Sequence, residues 1–158
     1  MQQLNFLVEN IGASQLGYYL TTELNKIHGH KDVDSIVFYN TLHKHALQPN
    51  FAIMQMMEAW CQPGTTIATS LTTASQLLSF PGPKHRIYYV WDLPWMRIVP
   101  KTYSVVANII TQDKLTLVAR SMQHALAIEN AFNIAVKYIV EDFNMELFIP
   151  TILEIQND

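Results

Sequence analysis

The 158-residue chain has few charges and a single cysteine. Charged residues make up 15% of the sequence, against about 25% in typical globular domains. Neutral polar side chains must therefore cover most of the surface, or a partner covers part of it. Cys61 has no second cysteine with which to form an internal disulfide, so we expect a reducing compartment, the cytoplasm.

Runs of basic residues and long apolar segments are also missing. The net charge is −3, and the densest cationic stretch is the three residues "HKH" at 43–45. Proteins that bind nucleic acid neutralise many phosphates with Lys and Arg, so nucleic acid is not an expected partner. The first ten residues have no cationic region of a signal peptide. No apolar segment approaches the roughly 18 residues of a membrane span, so no membrane partner is expected.

Short apolar runs alternate along the chain with amphipathic stretches, a pattern typical of α/β proteins. The length predicts one domain, residues 1–158. Seven runs are predicted as strands: residues 4–10, 34–40, 51–57 (continuing as a helical turn to Trp60), 65–70, 86–91, 114–120 and 136–142. Four stretches are predicted as helices: one after Ser14 as the N-cap, residues 72–79 and 102–111, and one after Ser121. The remaining tail is predicted as a short helix or a loop.

Most of these strands are continuous apolar runs, which indicates strands buried on both faces of a parallel sheet. The fold class predicted is therefore a Rossmann-like, doubly wound α/β domain. It has a mostly parallel sheet of six to seven strands, with helices on both faces in three layers. Ligands of such sheets bind beyond the carboxyl ends of the strands. The polar residues at those ends are the candidates: Glu9, Asn10, Tyr39, Asn40, Thr41, Ser70, Asp92, Arg120, Ser121, Glu141 and Asp142.

The stretch "WDLPW" at residues 91–95 has the composition of a sugar-binding site. The rings of Trp91 and Trp95 would stack on a sugar, and the carboxylate of Asp92 would accept hydrogen bonds from its hydroxyls. The alternative is that both tryptophans belong to the core or to an interface, and that Asp92 caps the turn that follows.

The stretch "NIGAS" at residues 10–14 is predicted to turn from the first strand into the first helix. Asn10 and Gly12 would lie beside backbone N–H groups that bind an anion. The alternative is structural: Gly12 makes the turn, and Gly17 lets the helix approach the sheet. Neither the dinucleotide-binding nor the Walker glycine pattern is present, so no cofactor is expected.

Three carboxylates at strand ends, Glu9, Asp92 and Asp142, would provide a general base if they met in one cleft; solvated surface positions are the alternative. The pairs His28/His30 and His43/His45 have no recognisable third ligand, so no metal is expected. Cys61 has no evident activating neighbour.

Three segments resemble the N-terminal Rossmann-like half of a GT-B glycosyltransferase: "GTTIATSLTTASQLL" (64–78), "RIYYVWDLPWM" (86–96) and "LVARSMQHALAIENAFN" (117–133) followed by "YIVEDFN" (138–144). The resemblance implies a cleft between two lobes that binds a sugar or nucleotide sugar without a metal. Asp92 would be a candidate base or acceptor-hydroxyl binder, Asn10 and Gly12 would face the donor phosphates and the acceptor, and Ser121 would match the helix start at the cleft. The other ligand-binding candidates, Ser70, Trp91 and Trp95, come from the strand ends and the aromatic composition. The donor-binding half is not in this chain, so activity would need a homodimer or a separate partner domain.

Two functions remain open. The chain is either a glycosyltransferase-like protein, active only as an assembly, or a non-catalytic module that binds a sugar, a nucleotide or another protein. A response-regulator-like or flavodoxin-like domain is the weaker third interpretation. The former would require an acidic cluster after the first strand and a later lysine. Glu9 is present, but the spacing of Lys101 and Lys114 is a poor match.

Overall fold

Seven parallel strands form one continuous sheet in the computed structural model, which describes residues 2–97 and 103–158. The strands are β1 (Gln2–Asn10), β2 (Val33–Thr41), β3 (Ala52–Gln55), β4 (Thr65–Ala68), β5 (His85–Val90), β6 (Thr116–Ala119) and β7 (Tyr138–Ile139). The helices are α1 (Gln15–Ile27), α2 (Leu71–Ser79), α3 (Tyr103–Ile110), α4 (Met122–Phe132) and α5 (Met145–Asn157). The order across the sheet is β3-β2-β1-β4-β5-β6-β7.

Both faces of the sheet are covered, because successive side chains of each strand point to opposite sides. In β1, Leu4 and Phe6 belong to the core under α1 and α5, whereas Leu7 belongs to the core under α2, α3 and α4. This arrangement confirms the predicted Rossmann-like three-layer α/β fold, with every strand pair parallel.

The sheet order reverses direction between β1 and β4. From β1 the chain moves outward to β2 and β3, and it then returns to β4 and proceeds the other way to β7. Right-handed crossovers on the two sides of this point place their helices on opposite faces. The loops that follow β1 and β4 therefore diverge there, which opens a crevice at the carboxyl ends of these strands.

Serine side chains start three helices at this edge of the sheet. The Oγ of Ser14 accepts a hydrogen bond from the N–H of Gly17 at 3.0 Å, and that of Ser121 accepts from the N–H of His124 at 3.2 Å. Both caps were predicted from the sequence, and both satisfy N–H groups that a helix start leaves without partners. Ser70 caps α2 in the same way.

Three elements differ most from the prediction. β7 has two residues rather than seven, because Asp142 and Phe143 take the left-handed conformation (φ 43° and 61°) and turn the chain away from the sheet. β3 ends at Gln55, and the anticipated helical turn follows at Met56–Ala59. The tail forms the 13-residue helix α5 despite Pro150 inside it, because Phe148 and Ile152 are fully buried against the sheet. Thr102, the predicted start of the third helix, lies outside the described residues.

Candidate ligand-binding cleft

A cleft of about 470 Å³ lies where the sheet order reverses, at the carboxyl ends of β1, β4 and β5. Its volume falls within the range of small-molecule sites, about 300–1,000 Å³. Its position is the one that open α/β sheets use for ligands. The residues lining it are Glu9, Asn10, Ser14, Leu16, Thr69, Ser70, Leu71, Thr72, Tyr88, Trp91, Asp92 and Pro94.

Two carboxylates, Glu9 and Asp92, are the charged side chains in this lining. Asp92 is 57% exposed; its Oδ1 accepts from the N–H of Leu93 at 3.0 Å, and its Oδ2 lies 3.4 Å from Nη1 of Arg97. Asp142, the third predicted carboxylate, does not line the cleft and pairs with Arg120 instead. The lining is therefore negative, which suits a ligand that donates hydrogen bonds.

The hydroxyl of Tyr88 provides a donor among these acceptors. Tyr88 is 1% exposed and lines the cleft, and no residue in the described ranges forms a hydrogen bond with its hydroxyl. Burial first, and then the charges of Asp92 and Glu9, raise the pKa of this hydroxyl above its ordinary value of 10.0. It therefore stays protonated at neutral pH. The sequence prediction missed Tyr88, because it treated the residue as part of an apolar strand; a hydroxyl-bearing ring two residues before the strand end was the available signal.

The first turns of α1 and α2 meet at the cleft through Ser14, Leu16, Ser70, Leu71 and Thr72. Helix starts carry partial positive charge and N–H groups without intrahelical partners. The hydroxyl of Ser70 is already engaged, since it accepts from the N–H of Thr73 at 3.2 Å. Ser70 therefore contributes mainly by placing the start of α2 in the cleft.

Asn10 lines the cleft, whereas Gly12 is not part of the lining. The Oδ1 atom of Asn10 is buried without a hydrogen-bond partner among the described residues. A Cβ on Gly12 would lie 2.8 Å from this Oδ1 and 2.9 Å from the Cβ of His43, so only glycine fits between the two side chains. A Cβ on Gly17 would lie 2.5 Å from the carbonyl oxygen of Gly12. Position 17 is therefore a glycine because the backbone of the turn passes too close for a side chain.

The two tryptophans do not flank one sugar site together. Trp91 lines the cleft but is 9% exposed, since its ring stacks on Phe143 and lies beneath the guanidinium of Arg120. Trp95 packs edge-to-face against Phe132 in the opposite core, with ring centroids 5.0 Å apart. Trp91 therefore offers a ligand little more than a ring edge.

Ser121 lies at the carboxyl end of β6, outside the cleft lining. Its hydroxyl caps α4 and lies 2.9 Å from Nδ1 of His124. Burial first, and then the charge of Arg120, lower the pKa of His124; Asp92 and the Trp91 carbonyl act in the opposite direction. His124 was not among the predicted residues, because its environment depends on β5 and β6 lying side by side.

The other predicted groups lie elsewhere. His45 uses Nδ1 to contact the carbonyl of Ile11 at 2.9 Å, and Cys61 is exposed. Within residues 2–97 and 103–158, no three His, Cys, Asp or Glu side chains are placed to hold a metal ion. Lys114 precedes β6 and lies at the amino ends of the strands, whereas Glu9 lies at the carboxyl ends. Lys114 therefore cannot be the lysine that the response-regulator interpretation requires. Lys101 lies outside the described residues.

Comparison of the chain with protein-family profiles, curated proteins and solved structures finds no match. The resemblance to a GT-B half therefore stays a prediction. None of the helices in the described ranges has the length and apolar character needed to cross a membrane.

Proposed function

We propose that the cleft binds a sugar-bearing ligand and that the protein is one lobe of a glycosyltransferase-like assembly. The observation that carries this proposal is the meeting of Glu9, Asp92 and the Tyr88 hydroxyl, which has no partner among the described residues, in one cleft at the sheet reversal. Sugar hydroxyls donate to carboxylates and accept from a phenol, so the three groups match a polyol. The resemblance in residues 64–78, 86–96 and 117–133 supports the same class.

The chemistry assigned to this lobe is activation of an acceptor hydroxyl. Asp92 would take the proton as the hydroxyl oxygen forms a bond to the anomeric carbon of the donor sugar. The bond from that carbon to the leaving diphosphate oxygen breaks in the same displacement, and the diphosphate leaves with the electron pair. The cleft is open on one side, so a second copy of the chain or a separate partner domain would hold the donor.

The test is a thermal-shift screen with nucleotide sugars, nucleotides and free sugars. A ligand at about 100 times its Kd stabilises a protein by roughly 2.7 kcal/mol. For a domain of this size the melting temperature would rise by about 5–10 °C. A selective shift with a sugar-bearing ligand is the expected result; the absence of a shift with every sugar-bearing compound would contradict the proposal.

Substitution of Asp92 by Asn separates binding from catalysis. Asp92→Asn keeps the shape and the turn contact of the side chain but cannot take a proton. With the ligand from the screen and its assembled partner, we expect turnover to fall about a hundredfold or more. The control is Asp34→Asn, an exposed carboxylate near the start of β2. Equal turnover in the Asp92 and Asp34 variants would reject Asp92 as the base.

A non-catalytic sugar-binding module is the second candidate, and one observation favours it. Asp92 Oδ1 already accepts from the N–H of Leu93, as a turn-capping aspartate does. In this case the screen would still give a selective shift. Asp92→Asn would leave ligand affinity within about threefold, and no turnover would occur with any partner.

A further inference from the structure

We propose that Arg120 forms a phosphoryl-binding site on the rim of the cleft, so that the ligand carries a phosphate as well as a sugar. The assignment of this phosphate to the cleft ligand rests on the proposed function. Arg120 directly follows β6, and its guanidinium lies on the ring of Trp91, a residue of the cleft lining. The site is therefore next to the proposed sugar position.

Two contacts hold the guanidinium in place. Its Cζ lies 3.8 Å from the ring centroid of Trp91, and its Nε donates to Oδ1 of Asp142 at 2.7 Å. Stacking fixes the plane of the group, and the ion pair fixes its rotation within that plane. An arginine held in this way loses little further side-chain entropy when it binds a ligand.

The partners of Arg120 are themselves fixed by a buried stack. The ring of Trp91 lies 5.3 Å from that of Phe143 at 12°, and Phe143 lies 4.1 Å from Tyr89 at 24°. The Tyr89 hydroxyl donates to the carbonyl of Val140 at 2.6 Å and accepts from the N–H of Phe143 at 3.2 Å. These bonds hold the left-handed turn at Asp142 and Phe143, a backbone conformation that costs free energy and concentrates at functional sites.

The terminal nitrogens of Arg120 remain available. No described residue accepts a hydrogen bond from Nη1 or Nη2. The side chain is 23% exposed. Two terminal amino groups on a fixed plane form the fork that binds two oxygens of a phosphate.

The charge of the cleft explains why a rim cation would be needed. Glu9 and Asp92 make the lining negative, so a phosphorylated ligand would need direct contacts with a cation; Arg120 offers them through its terminal nitrogens, although its Nε is paired with Asp142. Arg97 is the other arginine at this edge, but it is 77% exposed and lies 3.4 Å from Asp92. Arg120 is the better-fixed group of the two.

The test is calorimetric titration of the full chain with inorganic pyrophosphate at neutral pH and constant ionic strength. Arg120→Lys keeps the charge but removes the fork, and Arg120→Gln removes both. We expect each to weaken pyrophosphate binding by about tenfold or more, the effect of losing a charge-assisted two-point contact. The matched control is Arg97→Gln, which removes the same charge from the same edge and should change the affinity by less than about twofold.

Several results would overturn the inference. These are the absence of pyrophosphate binding to the wild-type chain, unchanged binding by Arg120→Lys, an equal loss in Arg97→Gln, or equally tight binding of acetate. Arg120→Lys is decisive if Arg120→Gln fails to fold, as judged by circular dichroism. A sugar response without pyrophosphate binding would remove this site and leave the proposed function. Pyrophosphate binding through Arg120 without any sugar response would support this site and contradict the proposed function.

Discussion

Two adjacent tyrosines on β5 show how one residue type serves two purposes. Tyr88 and Tyr89 point to opposite faces of the sheet, and both are almost fully buried. The hydroxyl of Tyr89 bonds to two backbone groups, whereas that of Tyr88 has no partner among the described residues and lines the cleft. We therefore assign Tyr89 to stability and Tyr88 to ligand recognition.

Replacement of Tyr89 by Phe should lower the free energy of unfolding by about 1–3 kcal/mol, because it leaves a buried carbonyl and a buried N–H without partners. Chemical denaturation followed by circular dichroism measures this change. Tyr88→Phe is the matched control; it should alter the free energy of unfolding by less than about 0.5 kcal/mol and reduce the thermal shift from the cleft ligand. The opposite ranking of the two variants in stability would refute the assignment.

His124 should make the stability of the protein depend on pH. Its pKa is lowered below the ordinary value of 6.5 in the folded chain, so the unfolded chain binds more protons in this range. Stability then rises with pH. The loss of stability should begin as the pH falls through the pKa that His124 has in the unfolded chain. It should continue until the pH is below the pKa of His124 in the folded chain.

This pH effect is measured from the melting temperature between about pH 7.5 and about pH 5.5, the range in which histidine titrates. His124→Gln should flatten the dependence by removing the contribution of His124. His30→Gln, which changes an exposed histidine, should leave it unchanged. A dependence that is identical in wild type and His124→Gln would contradict the argument.

At the level of elements, α5 shows tertiary packing overriding local preference. Pro150 is the sixth residue of this helix and lacks the N–H that would bond to the carbonyl four residues earlier. The helix persists because its buried residues (Met145, Phe148, Ile152 and Ile155) pack in the core under α1 and α5. Burial of each large side chain contributes about 1.5–3 kcal/mol, so together they exceed the roughly 3 kcal/mol cost of an internal proline.

Pro150→Ala should therefore raise the free energy of unfolding by about 1–3 kcal/mol, because alanine restores the backbone hydrogen bond. Pro150 is exposed, so little packing is lost. Leu153→Ala, at a half-exposed position on the same helix, should have a much smaller effect in the same denaturation experiment. A destabilised Pro150→Ala variant would show that the proline stabilises the fold through the unfolded state.

At the level of the whole molecule, the sheet order creates the cleft. Glu9, Ser70 and Asp92 are far apart in the sequence, and they meet because β1, β4 and β5 are parallel neighbours. A second lobe, either a second copy or a separate domain, stays a prediction, as does the single-domain assignment.

Much of the fold was predictable from residue order. Continuous apolar runs identified the seven strand positions, and serines before amphipathic stretches identified the starts of α1 and α4. The end of β7 was not predictable, since Phe143 is a bulky residue type that rarely takes the left-handed conformation, although aspartate takes it more readily. The turn depends on the hydroxyl of Tyr89, which is 54 positions from Phe143.

The candidate cleft was predictable in part. The rule that ligands lie at strand ends selected Glu9, Asn10, Ser70 and Asp92, all of which line it. Ser121 follows the same rule but lies outside the lining, because β5 separates β6 from β4 and so places β6 farther from the reversal. Trp95, which was predicted to stack on a sugar, packs instead against Phe132 of α4.

The sequence by itself determined the class of fold and the edge of the sheet where polar groups gather, because hydrophobic periodicity and helix caps are local properties. Tertiary structure decided which of these groups share a cleft, and how buried and how rigidly held each of them is. The burial of Tyr88, the cover on the ring of Trp91 and the rigid setting of Arg120 each need contacts between residues distant along the chain. Such contacts depend on strand order, which no local pattern contains.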